Sequence, residues 1–250
     1  MGMEGCSRSV SDAAWSTSES RAITNPLGRT YGSEMPRRPE LALDTTAADW
    51  LAEALPRDYN FVVGDWIPIH LDSIVRIGDL GGGEDLTRRE LAPLIEVLGR
   101  HTQASESCCF CVWDGYGWIN GSVEILLLDA DPDPGPIEPS SGLPPDALTR
   151  PRVQRPSREY LLFAGPLESA LELGWRRDEV LEREYPDLDL VSGEHRPQIA
   201  DLMWPEDRAW FFATDTDFDW SYIGGSEELI ADLGVSMPEV TQVQRGDRVD

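Results

Sequence analysis

The sequence predicts an α+β fold, a single mixed, mainly antiparallel sheet carrying a few short helices. Three observations lead there. Short runs rich in Val, Ile, Phe and Trp recur at strand length, and stretches with apolar residues at helical spacing fall between them. The two types alternate without the regular spacing that parallel βαβ units require. Finally, 40% apolar content over 250 residues is sufficient for one ordinary core.

Residues 1–44 are rich in Ser, Thr, Gly, Pro and Arg, and their scattered apolar positions follow neither period. They are expected to form a disordered N-terminal extension, with Met35 as a candidate start, ahead of a single α+β domain over 45–250. Trp50, Leu51, Ala54 and Leu55, behind the caps Asp44, Thr45 and Thr46 and stopped by Pro56, predict a short amphipathic helix. Tyr59 to Ile77, broken by Gly64-Asp65 and Pro68, reads as two short strands around a turn. After the glycine-rich loop at 78–85, Thr87-x-x-Glu90 resembles a capping box. Leu91, Leu94, Ile95 and Leu98 form a helical stripe, and Pro93 implies that the helix either starts nearer Glu90 or is distorted there.

Cys108 to Val112 alternates as a strand, and Asp114-Gly115 suits a tight turn into a further strand at Tyr116 to Ile119. Val123 to Leu128 supplies the next strand. Residues 129–158 are proline-rich and without period, and read as an exposed loop or linker within the domain. Tyr160 to Phe163 is a strand, Gly165-Pro166 a turn, and Leu167, Ala170, Leu171 and Leu173 a helix face. Ile199 to Met203 and Ala209 to Ala213 are strands. Ser226 caps a last helix with Glu227 and Glu228 in its positive first turn, and Gly234 is expected to end it.

Charge removes several classes of function. There are 46 acidic against 21 basic residues, a net charge of -25, which repels nucleic-acid phosphates and anionic membranes and attracts cationic partners. All 21 basic residues are arginine, so Schiff-base chemistry, the Walker A phosphate loop and the kinase lysine have no residue to carry them. No apolar run approaches the ~18 residues of a spanning helix. The first residues lack a secretory pattern, and the four cysteines do not have the spread of a disulfide framework, so a cytoplasmic location with reduced thiols is expected.

Each motif has a plainer counterpart. Cys108-Cys109-x-Cys111 lacks the four converging ligands of a zinc site, and on a strand Cys108 faces away from the other two; no metal and no cofactor are expected. Residues 125–133, ILLLDADPD, imitate the opening of haloacid-dehalogenase-type phosphatases, but Asp133 stands where Thr or Val belongs. The loop Gly78-x-x-Gly81-Gly82-Gly83 carries Asp79, Glu84 and Asp85, which would repel a phosphate. His70, His101 and His195 form no catalytic or metal pair, and no catalytic residue is assigned. Arg150, Arg152, Arg155 and Arg158 are expected to lie in a solvated linker, the alternatives being a phosphate site or docking on the protein's own acidic face.

Asp201 to Asp232 combines nine acidic residues and one arginine, Arg208, with interleaved aromatics. Trp204, Asp207, Trp210, Asp215, Asp217, Asp219 and Trp220 are the candidate binding residues, because aromatics beside charges anchor many protein interfaces. If the strand continued through them, Asp215, Asp217 and Asp219 would project from one face and repel one another. The block WPEDRAWFFATDTDFDWSYIGGSEELI, with REYLLFAGPL, CFCVWDGYGW and GDWIPIHLDSIVRI, resembles an uncharacterised actinobacterial protein family over most of residues 60–235. That resemblance implies domain unity and carries no activity. The expectation is therefore a non-catalytic acidic binding protein that engages a cationic protein partner, in the manner of an inhibitor or immunity protein. The alternative is a metal-dependent hydrolase using Asp215, Asp217 and Asp219.

Overall fold

Alternating apolar side chains along short strands need two buried faces, and the chain supplies a cover for each. The computed structural model describes residues 38–78, 88–116, 119, 143–144, 146–176, 195–218 and 220–249. Residues 1–37, the glycine-rich loop at 79–85, the strand expected at 123–128 with its aspartate motif, most of the proline-rich segment and Asp219 lie outside them. Pro36 to Asp250 forms one compact unit.

Nine strands make the main sheet: β1 (Glu40–Leu41), β2 (Ser73–Gly78), β3 (Cys108–Trp113), β4 (Val153–Gln154), β5 (Glu159–Gly165), β8 (Leu202–Pro205), β9 (Phe211–Ala213), β10 (Trp220–Gly225) and β11 (Val240–Val243). Their order is β1-β5-β3-β8-β9-β10-β2-β11, with β4 also paired to β5. Two further strands, β6 (Gly174–Arg176) and β7 (His195–Pro197), pair separately. Every pairing between described strands is antiparallel, and the mainly antiparallel sheet with its few short helices is the α+β fold expected.

One face, with Val75, Phe110, Val112, Leu161, Phe212 and Ile223, packs against two helices, α2 (Arg88–Arg100) and α3 (Glu227–Ser236), through Leu91, Leu94, Leu98, Leu229 and Leu233. The opposite face, with Cys111, Tyr160, Leu162, Leu202, Phe211 and Tyr222, is covered by the segment from Ala48 to Leu71. That segment includes α1 (Leu51–Ala54) and contributes Leu51, Leu55, Trp66 and Ile67. Both faces are apolar because neither meets water, which is why Cys111 and Val112, adjacent in sequence, are both 0% exposed.

Several local expectations are corrected. Glu40 and Leu41, assigned to the extension, pair with Ala164 and Phe163, so the ordered sheet starts ahead of residue 45. Tyr59 to Ile77 yields one strand, not two. The buried Asp65 carboxylate accepts the Asn60 and Val62 amides at 2.8 and 3.1 Å, which closes that stretch into turns and a 3-10 turn at Val63–Asp65. Asp114 and Gly115 do turn, but Tyr116 and Ile119 do not form a strand; Ile119 N–H donates to the Tyr116 carbonyl. The expected strands at 199–203 and 209–213 begin later, as β8 and β9. Helix α2 starts ahead of Pro93 and runs through it, held by its buried stripe. Helix α3 passes through Gly234 to Ser236, so this glycine is not its cap, while Ser226 Oγ accepts the Leu229 amide as expected.

Candidate functional site

Arg158 lies just before β5, two residues ahead of Tyr160, so strand parity directs both to the face lined by Cys111 and Trp113. Trp113 and Tyr160 are cross-strand neighbours. The Arg158 guanidinium lies over the Trp113 ring, 4.2 Å from its centroid, and grips Asp215 with two hydrogen bonds, Nε to Oδ2 at 2.6 Å and Nη2 to Oδ1 at 2.5 Å. Nη2 also reaches Asp217 Oδ2 at 2.8 Å.

The strand ends at Ala213, and Asp215 opens a turn: its Oδ1 accepts the Asp217 amide at 3.0 Å and its carbonyl accepts the Phe218 amide. The expected row of repelling aspartates on one strand face is thus absent for Asp215 and Asp217. A single arginine compensates both, with the Asp215 side chain 5% exposed and that of Asp217 80% exposed. Hydrogen bonding to Asp215 raises the Arg158 guanidinium further above its already high range. Guanidinium nitrogens bond both Asp215 oxygens. Among the described residues no cluster of three His, Cys, Asp or Glu is arranged to hold a metal.

The other arginines of the proline-rich stretch are also turned inward, which corrects the solvated-linker expectation in favour of docking on the protein's own groups. Arg150 pairs with Asp146 at 2.8 Å and Arg152 with Asp114 at 3.1 Å, and Arg155 donates to the carbonyls of Pro56 and Asp65. Trp113, Asp114 and residues 154–159 line an open cleft of about 370 Å³ beside this network.

Deeper in, Asp201 is 0% exposed. Its Oδ2 accepts the Trp113 amide at 2.7 Å and its Oδ1 the Tyr116 hydroxyl at 3.1 Å. Burial pushes this carboxyl up to about 7, and those two hydrogen bonds offset only part of the rise. Burial also holds the Tyr116 and Tyr160 hydroxyls far above their usual range, and the Tyr160 hydroxyl has no hydrogen-bond partner.

The remaining candidates take other places. Trp204 and Trp210 are 2% and 0% exposed and belong to the core. Trp204 stacks on Phe211, and Trp210 Nε1 donates to the Leu98 carbonyl at 3.0 Å, so neither presents a surface anchor. Asp207 is exposed and ties the turn after β8 to the end of α2, accepting Thr102 Oγ1 and the Gln103 amide, each at 2.8 Å. Trp220 is half-buried under the Arg76 guanidinium. Asp215, Asp217 and Phe218 are the part of the expected region that the fold brings to the network.

Cys109 and Cys111 share one face and Cys108 takes the other, as strand alternation requires, and all three are free. Burial raises their thiols, Cys108 to about 12 and Cys109 to about 11, so they are poor nucleophiles. His70 is exposed beside Trp50, and His101 Nε2 lies 2.9 Å from Asp232.

Reading by sequence did not single out Arg158 as a clamp, nor Asp201, Trp113, Tyr116 and Tyr160 as its surroundings. The two-residue spacing of Arg158 and Tyr160 was a usable signal for a shared face; the 57-residue separation of Arg158 from Asp215 was not.

No family model matches the chain, and no curated protein or solved structure shows significant similarity to it.

Proposed function

We propose that this protein is a non-catalytic, acidic binding protein that engages a cationic protein partner in the manner of an inhibitor or immunity protein. The observation carrying this reading is the asymmetric use of charge. Arg150, Arg152, Arg155, Arg158 and Arg245 are spent on carboxylates and carbonyls within the fold. Asp58, Asp72, Glu106, Glu159, Glu206, Asp217, Glu227 and Glu228 stand exposed. Among the described residues these and other exposed acids outnumber the exposed arginines, Arg38, Arg57, Arg100, Arg208 and Arg248, and a chain of net charge -25 favours encounter with basic surfaces and disfavours nucleic acid and anionic membranes. No described helix is long and apolar enough to cross a membrane. The free thiols of Cys108, Cys109 and Cys111 suit the cytoplasmic setting that belongs to this proposal.

The test is a purified chain used as bait for basic proteins, followed by kinetics on the retained species. A saturable complex of fixed stoichiometry, with an on-rate that falls as salt shortens the field to about 8 Å, supports the proposal. Binding indifferent to salt, or equal affinity for duplex DNA, overturns it.

A further inference from the structure

Phe61 is the only Phe, Tyr or Trp among the described side chains that is more exposed than buried, at 55%. Its backbone has φ 59°, a left-handed conformation that bulky residues rarely adopt. The turn is held there from below. The buried Asp65 carboxylate binds the amides on either side of it, Asn60 and Val62, and the Phe61 carbonyl accepts the Val249 amide at 3.1 Å. The fold therefore maintains an unfavourable backbone at a residue whose aromatic ring stands more than half in water.

The ring does not stand alone. Tyr59 meets it edge-on at 4.5 Å, Trp66 lies 5.7 Å from Tyr59, and Phe218 lies 5.0 Å from Trp66. This aromatic path ends beside Asp217, the exposed carboxylate of the Arg158 network. Asp58 and Asp247 are exposed on the neighbouring backbone.

The protein's own half-buried tryptophans show how this chemistry is completed elsewhere. Arg76 covers Trp220, Arg158 covers Trp113 and Arg208 covers Trp50, each with its guanidinium carbon 4.2 to 4.6 Å from a ring centroid. Among the described residues no arginine lies over Phe61 or Tyr59, although Arg57 and Arg248 are close along the backbone. Resting on the proposal of a cationic partner, we infer that the Tyr59–Phe61 turn is its anchor, where an arginine of the partner stacks on the ring pair beside Asp58. Arginine suits the place because its planar head stacks on an aromatic face while still donating to carboxylates.

The test uses the full chain and the octapeptide Gly-Arg-Gly-Arg-Gly-Arg-Gly-Arg, with its citrulline counterpart, measured by calorimetry at low ionic strength. Asparagine tolerates the left-handed backbone, so Phe61→Asn is expected to melt at or above the parent's temperature. It should bind the arginine peptide about fivefold or more weakly, while Phe61→Tyr binds as the parent does. If Phe61→Asn binds equally while the citrulline peptide fails to bind, the anchor is overturned and the acidic-binding reading stands. If the parent binds neither peptide, or both alike, both fall. A lowered melting temperature in Phe61→Asn would give the ring a structural role, and parent self-association lost in that variant would give the surface to a second copy; either overturns the inference.

Discussion

Asp201 and Arg158 show how differently two buried charges behave. The Asp201 carboxyl titrates near 7 in the fold against an ordinary 3.8, so the folded state keeps a proton that the unfolded chain has already lost. Both states are neutral below about pH 4. Stability attributable to this group falls as pH rises through the window up to about 7, and the penalty, on the order of a few kcal/mol, is complete above it. Asp201→Asn keeps one acceptor for the Trp113 amide and removes the titration. Its melting temperature relative to the parent is therefore expected to rise between pH 5 and pH 8; a constant difference would show that Asp201 does not titrate there. Arg158 is the reverse case, a charge whose partner depends on it. Arg158→Met strands Asp215 in a site where its side chain is 5% exposed and should cost on the order of 3 kcal/mol in denaturant unfolding. Asp217→Asn, at an 80% exposed side chain, should cost less than about 1 kcal/mol. Equal losses from the two substitutions would contradict the geometry of the clamp.

Helix α3 carries the clearest disagreement between local pattern and element. A glycine near the end of an apolar stretch reads as a left-handed cap, yet Gly234 lies within Glu227–Ser236, and a Cβ built on it meets nothing within 4 Å. Gly234→Ala should then stabilise the protein by about 0.5 to 1 kcal/mol, measured as a shift in unfolding midpoint at constant slope. A cap would have lost stability on the same substitution, so the sign alone decides. The helix outlasts its glycine because Leu229, Leu233 and Met237 are held against the sheet, and that burial outweighs the propensity of one residue. Similarly, Asp65 turns the Val-rich stretch after Tyr59 away from strand by offering its backbone a buried acceptor. Stripes such as Leu91, Leu94, Ile95 and Leu98 were legible because their period is local. Strand β11 was not, since its Val-Thr-Gln-Val sequence becomes a strand by pairing with β2 some 160 residues earlier, about the separation of Val240 from Ile77.

At the scale of the molecule, a net charge of -25, with Arg150, Arg152 and Arg158 held on carboxylates within the fold, sets up self-repulsion. Sodium chloride raised from low concentration to about 0.15 M should therefore increase the melting temperature before any partner is added, because it shortens the repulsive field to about 8 Å. A melting temperature unchanged over that range would mean that the acids are already compensated. The sequence by itself determined the α+β class, the antiparallel tendency, the helical stripes, the alternation of the three cysteines and the acidic balance. Each depends on composition or on a period of a few residues. Only the tertiary structure decided that Trp204 and Trp210 are core, that the arginines of the proline-rich stretch are internal clamps, and that Phe61, among the described aromatics, is the one left in water. Those outcomes depend on which strands become neighbours. A tryptophan beside charges is written identically for a core and for an interface, and burial is settled by what the sheet brings against it.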